Sequence, residues 1–255
     1  MTKSSGLFLL LILLPALTFA GTVCDTKRLE LPAGGIQSLK VDCGAGALKL
    51  KSKADLDTVK VMAEIEVDGA CDLEFRTAIE KLLMLTLEHQ NHKARLRCHL
   101  AKSTIRGREV RINLSVEVPE NLYVNIIDKT GTIAVNDFVG RLAIDDDSGE
   151  ILIKNVIGKI SVDDGSGDIE IEDANGQVDI RDGSGEIVVR SIAGDVSIID
   201  ASGGILVEDI NGNVTVSDGS GPIEINHVIK NVFIREDSSG EVEIDGVQGK
   251  LTIRK

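Results

Sequence analysis

The sequence predicts an all-β protein: a single-chain parallel β-solenoid (a β-helix or β-roll) of 18-residue coils, behind a small β-rich head with one possible short helix. Three observations carry this reading. Small-residue–glycine pairs recur as Thr130-Gly131, Ser148-Gly149, Ser166-Gly167, Ser184-Gly185, Ser202-Gly203, Ser220-Gly221 and Ser239-Gly240, with glycine spacings of 18, 18, 18, 18, 18 and 19. A second column lies halfway between them, Gly140, Gly158, Gly176, Gly194, Gly212 and Gly249, interrupted once by Lys230. Between the glycines, β-branched residues alternate with polar ones, as in Ile169, Ile171, Val178 and Ile180, then Ile187, Val189, Val196 and Ile198. Period-two alternation marks strands with one buried face, and regularly placed glycines mark the corners between them. A two-strand unit cannot bury that face alone, so the units must stack.

From the N-terminus, the first element is an address. Lys3 precedes an apolar run from Leu7 to Leu14, then Pro15 and Thr18-Phe19-Ala20. This pattern predicts a secretory signal peptide over residues 1–20 with cleavage after Ala20. The run is shorter than the roughly 20 residues that span a bilayer, so the mature chain is expected to be exported and not an integral membrane protein. Residues 21–127 form the head. Val59 to Val67 alternates as a strand, Asp72 to Lys81 suits a short helix, and Leu82–Glu88 with Ala94–Leu100 suits a hairpin turning at Gln90-Asn91. Val110 to Val118 is a further strand, ended by Pro119. The solenoid then fills 128–255 with about seven coils, a core column of Leu142, Ile160, Val178, Val196, Val214, Val232 and Leu251, and a C-terminal edge open to self-association.

All four cysteines, Cys24, Cys43, Cys71 and Cys98, fall in the head. An even count in an exported chain predicts two disulfides, and nearness along the chain favours Cys24–Cys43 and Cys71–Cys98 over the other pairings. None sits in a Cys-x-x-Cys motif, so neither a redox centre nor a zinc knuckle is indicated.

Composition narrows the function. The chain carries 28 Lys+Arg against 41 Asp+Glu, a net charge of −13, which argues against nucleic acid as a partner. Aromatic residues make up only 2% and tryptophan is missing, which leaves no flat platform for sugars or bases. Gly-x-Ser-x-Gly never occurs, so the Gly-Ser-Gly serines are turn residues rather than nucleophiles. The charge is divided unevenly, because residues 128–255 hold 26 acidic against 11 basic residues, a net of −15.

An aspartate stands three residues before each corner glycine: Asp128, Asp146, Asp164, Asp182, Asp200, Asp218 and Asp237. Stacked about 5 Å apart, neighbouring carboxylates repel by about 3 kcal/mol at an effective dielectric of 20. Two readings offset this. In an Asx-turn each carboxylate accepts the backbone N–H two residues on. Alternatively calcium, otherwise the only cofactor to consider, binds the column, with Asp146, Asp164 and Asp182 as ligands. The secreted-toxin calcium repeat is not matched, since Ile169 stands where its aspartate belongs. Shared protons would relieve the repulsion too.

A basic cluster runs through Lys93, Arg95, Arg97, His99, Lys102, Arg106, Arg108 and Arg111. Arg95, Arg97 and His99 share one face of their strand, which suits an anionic envelope polymer, the acidic solenoid of another molecule, or simply a solvated surface. His89-x-x-His92 lacks the carboxylate pattern of a metal site. Leu152, Val188, Leu206, Ile199 and Phe233 interrupt the polar outer columns as a small apolar patch.

The pattern Ser-Gly-x-Ile-x-Ile-x-x-Val-x-Gly-x-Val-x-Ile, behind a strand ending in Val116-Glu117-Val118-Pro119, resembles the bacterial family known as putative adhesins, exported β-solenoids built around a domain of unknown function. The likeness runs from Val59 to Lys255. It implies a parallel β-solenoid in the periplasm or at the cell surface of a bacterium, and it brings no catalytic residues. The expected function is a non-enzymatic envelope protein that presents a repetitive acidic surface to an unknown envelope or surface component. The alternatives are a polysaccharide-acting β-helix enzyme, supported by fold analogy alone, and a calcium-stabilised structural module.

Overall fold

The computed structural model describes residues 21–44 and 46–254; the signal-peptide expectation for residues 1–20 lies outside the described residues. The head opens with β1 (Thr22–Pro32), β2 (Ser38–Cys43), β3 (Leu48–Lys53) and β4 (Thr58–Val67). Helix α1 (Leu73–Leu82), β5 (Leu83–Gln90), β6 (Lys93–Leu100), β7 (Thr104–Ile105), β8 (Arg108–Pro119) and β9 (Leu122–Asp128) complete it. β10 (Ile133–Asp146) then begins a regular alternation of strands that ends with Val242–Asp245 and Leu251–Ile253. Among the described residues no helix is long and apolar enough to cross a membrane.

Two parallel faces rise together from the head. One carries Ile133, Ile151, Ile169, Ile187, Ile205, Ile223 and Val242 in a single register. The other carries Leu142, Ile160, Val178, Val196, Val214, Val232 and Leu251, the core column expected from sequence. All but the last residue of that column are buried; Leu251 lies in the outermost described coil and is 44% exposed. β10 turns the corner, since Ile133–Val139 pairs on the first face and Gly140–Asp146 on the second.

The corners require glycine. A Cβ on Gly149 would lie 1.8 Å from the carbonyl oxygen of Gly131, and one on Gly158 would lie 1.8 Å from that of Gly140. Gly149 also has φ of +146°, a backbone that side chains rarely adopt. The single 19-residue coil is absorbed as a bulge: Val216 faces Ile234 while Ser217 faces Glu236, which leaves Arg235 as the extra residue.

A second, non-glycine corner accompanies these. Asp137, Asn155, Asp173, Ser191, Asp209 and His227 occupy one station of successive coils with φ between 53° and 58°. Asp and Asn tolerate this left-handed backbone because their short polar side chains bond locally. Asn155 Nδ2 donates to Asp137 Oδ1 at 2.5 Å. Four residues further along the coil, across the same corner, Asp195, Asn213 and Asn231 form a ladder, each amide donating to the oxygen one coil below at 3.0 Å.

The head both extends and plugs the stack. Coil stacking runs past residue 128 into the head, because β2 pairs in parallel with β9 and β3 with β10. Beyond them β8 and β6 continue the two faces, followed by antiparallel β4, β1 and β5. Helix α1 starts at Asp72, whose carboxylate accepts the Phe75 N–H at 2.7 Å as an N-cap. Its buried residues, Phe75 and Ile79, join the core.

The cysteine pairing differs from the expectation. The disulfide joins Cys24 to Cys71, fastening β1 to the segment before α1, while Cys43 and Cys98 are buried thiols. Nearness along the chain misled because β1 crosses the sheet to lie against β4, which ends just before Cys71.

Candidate functional site

Two features concentrate chemistry: the corner aspartates and the outer face of the β5–β6 hairpin. Because Asp128, Asp146, Asp164, Asp182, Asp200 and Asp218 each end a strand on the inward side, their carboxyls enter the solenoid wall rather than solvent. They are all at most 7% exposed. Four of them make the Asx-turn, accepting the backbone N–H two residues on: Ser166 to Asp164 at 3.3 Å, Ser184 to Asp182 and Ser202 to Asp200 at 3.2 Å, and Ser220 to Asp218 at 3.1 Å.

Among the described residues, the second oxygens of Asp164, Asp182 and Asp200 are buried without a hydrogen-bond partner, and the carboxylates of Asp128 and Asp146 are buried beside the backbone N–H groups that follow them. Burial, with the charges of Asp128 and Asp164 added, pushes the Asp146 carboxyl up to about 7. Burial and the neighbouring carboxylates push Asp182 up to about 6. Asp128, Asp164 and Asp200 rise for the same leading reason, burial. These carboxyls therefore give up their protons less readily than ordinary aspartates, Asp146 least of all. Among the described residues no three His, Cys, Asp or Glu converge in an arrangement that could hold a metal ion.

The hairpin face is different. β6 places Arg95, Arg97 and His99 outward while Ala94, Leu96 and Cys98 are buried, as the alternation requires. Parallel pairing lays β2 beside it, with Lys40 opposite Arg95 and Asp42 opposite Arg97. Arg95 donates to Asp42 Oδ2 at 2.7 Å, and His99 Nε2 lies 2.9 Å from Asp42 Oδ1. Burial works to raise the Asp42 carboxyl, but the Arg95 hydrogen bond and the His99 contact together hold it below its usual value. Arg97 reaches Glu88 at 3.9 Å. Of the three residues singled out from sequence, Arg95 and His99 are thus tied to one carboxylate.

A depression of about 600 Å³ opens beside them, lined among others by Lys40, His89, His92, Lys93, Arg95 and Arg97. His92 is itself fixed through Nδ1 to the Gly35 carbonyl at 2.7 Å, which removes one ring nitrogen from any ligand role. Lys40 was not visible as a site residue in the sequence. Its own strand alternates plainly, but its position beside β6 depends on a pairing across more than fifty residues.

The rest of the basic run disperses over the head. Arg106 pairs with Glu74 at 2.8 Å and Arg111 with Glu109 at 3.0 Å, while Arg108 bonds the Ala70 carbonyl and lies 5.1 Å from the Phe75 ring centroid. The expected apolar patch is also thinner than its sequence. Val188 is 8% exposed, and Phe233 is flanked by Arg235 and Arg254 at 5.8 and 5.1 Å from its ring. Ile199 remains exposed.

No family model matches this chain, and no curated protein matches it. Solved structures do. A putative cell adhesion protein from Clostridium sporogenes is 11% identical, with a TM-score of 0.34, over 90% of this chain and 98% of its own. A putative adhesin from Bacteroides fragilis is 11% identical, with a TM-score of 0.43, over 89% of this chain and 96% of its own. A putative adhesin from Parabacteroides merdae is 12% identical, with a TM-score of 0.35, over 89% and 96%.

Proposed function

We propose that this chain is an exported, non-enzymatic binding scaffold of the bacterial envelope, and that its head grips an anionic polymer while the acidic solenoid serves as a rigid arm. One observation carries the reading: Lys40, Lys93, Arg95 and Arg97 line a single depression on a chain whose net charge is −13. The acidic excess is concentrated in residues 128–255, so the depression in the head is a local cationic site that attracts anions at short range. The two parallel strands beneath it belong to the same continuous core as the coils, so its lysines and arginines sit on a firm base. The Cys24–Cys71 disulfide supports an oxidising compartment and hence export.

The test is binding of the full chain to polygalacturonate and to dextran sulfate, with neutral dextran as control. We expect both polyanions to bind with an affinity that falls as salt rises. The double variant Lys40→Glu/Lys93→Glu should weaken binding at least about tenfold, as loss of a favourable charge pair of 1.4 kcal/mol or more implies. Lys154→Glu on the solenoid should leave it unchanged. Equal binding of neutral dextran, or indifference to the double variant, would overturn the reading.

A further inference from the structure

We propose that Cys43 and Cys98 are the two halves of a second disulfide, closed while the chain folds and sealed inside the stack afterwards. The inference rests on strand register and is independent of the polymer-binding reading. β2 and β6 pair in parallel from Ser38 opposite Lys93 to Cys43 opposite Cys98. Residues opposite one another on paired strands point to the same side, and both thiols point into the core at 7% and 3% exposure. Paired strands lie about 4.8 Å apart, within the Cα separation of about 4.4–6.8 Å that a disulfide bridges. Cys24 and Cys71 are already joined, so the chain matures where thiols meet an oxidant.

The chemistry fixes the timing. Thiol–disulfide exchange needs a thiolate. In the folded chain burial, with Asp128 close by, pushes the Cys98 thiol up to about 12, and burial raises Cys43 further. Both therefore stay protonated and out of reach once the coils close. In the open chain they are ordinary thiols. There, one thiolate attacks a small disulfide such as oxidised glutathione and releases one glutathione thiolate. The second cysteine then displaces the other glutathione from the mixed disulfide. The net change is two cysteine thiols and one oxidised glutathione becoming one protein disulfide and two glutathione thiols. The new bond would join the two strands that carry Lys40 and Arg95, three residues along from each.

The full chain, denatured and reduced, is refolded in a glutathione redox buffer, then denatured again in excess N-ethylmaleimide and weighed by mass spectrometry. We expect no alkylated cysteine, and a proteolytic fragment in which Cys43 is linked to Cys98. Two maleimides on Cys43 and Cys98, or either cysteine linked elsewhere, would overturn the proposal. The Cys24→Ala/Cys71→Ala variant should still close the second bond, with a Tm about 10 °C above that of its own reduced form. Identical melting of the two forms would count against a native-state bond. In native wild-type protein a phosphine reductant should open Cys24–Cys71 first; the reverse order would overturn the sealing.

Discussion

In the solenoid the main stabilising contacts recur from coil to coil, whereas in the head most are made once. Gly131, Gly149, Gly167, Gly185, Gly203 and Gly221 each leave room for the carbonyl of the coil below or above, and the same aliphatic station recurs from Ile133 to Ile223. The head instead depends on single devices: Phe75 and Ile79 in the core, the Asp72 cap, the Cys24–Cys71 bond, and Lys27 reaching Glu80 at 3.3 Å. Repetition makes stability a sum over neighbouring coils, so an error is felt locally and at both adjoining interfaces. A unique contact has no second copy, but neither does it constrain residues elsewhere. The two regions should therefore respond differently to the same chemical change.

The largest difference should come from adding one methyl group. Gly167→Ala places a Cβ 1.8 Å from the Gly149 carbonyl oxygen at a φ of +139°, so two coils must separate. Gly69→Ala in the head has a positive φ of +93° as well but meets nothing within 4 Å. We expect the first to cost about 4 kcal/mol or more and the second about 1 kcal/mol, by urea unfolding. Comparable losses at both sites would mean that left-handed backbone, rather than coil spacing, is what glycine supplies.

The same asymmetry explains what the sequence made legible. Corner glycines, the Leu142-to-Val232 column and the Asx-turn role of the aspartates could be read because the stack enforces one residue type at one period. Within the head the local elements were readable too. The strand expected over Val59–Val67 is β4, the helix expected over Asp72–Lys81 is α1, and the hairpin is β5–β6. What stayed hidden were β1, β2 and β3, and with them the true disulfide and Lys40. Their partners are set by pairings such as Ser38 with Tyr123 and Leu48 with Ile133, far apart in sequence and made once. The left-handed station was missed for another reason. Asp, Asn, Ser and His share that φ but not a size or charge, so no single letter marks the column.

A proton-dependent contrast comes next. The carboxyls with raised folded values, led by Asp146 at about 7 and Asp182 at about 6, lie in or at the foot of the solenoid. The folded state binds more protons there than the unfolded state, so their contribution is complete below the unfolded value near 4 and is lost as pH rises through 6 to 7. In the head Asp25, Asp42, Glu74 and Glu117 are held low by cationic partners, so their contribution is present above pH 4 and lost only on acidification. Between pH 5 and 8 the melting temperature should therefore fall as pH rises. Asp146→Asn should remove part of that slope and stabilise the chain by about 2 kcal/mol at pH 8 while changing little at pH 5. An unchanged slope in this variant would show that the column releases its charge by another route.

The smallest effect tests whether the coils are improvable one at a time. Ser191 holds φ of +56° at a station where Asn155 and three aspartates stand in other coils. Serine bonds its own backbone less effectively than asparagine and gains less from the left-handed region. Ser191→Asn should therefore raise stability by roughly 0.5 kcal/mol, and Ser191→Gly by a similar amount offset in part by the greater freedom of the unfolded chain. Asn91 in the β5–β6 turn has the same φ of 56° but no stacked neighbour, and Asn91→Ser should lose a comparable amount. Matching magnitudes of opposite sign would assign the preference to the residue's own backbone. A larger gain at Ser191 would instead assign it to amide contacts along the column, of the kind Asn155 already makes with Asp137.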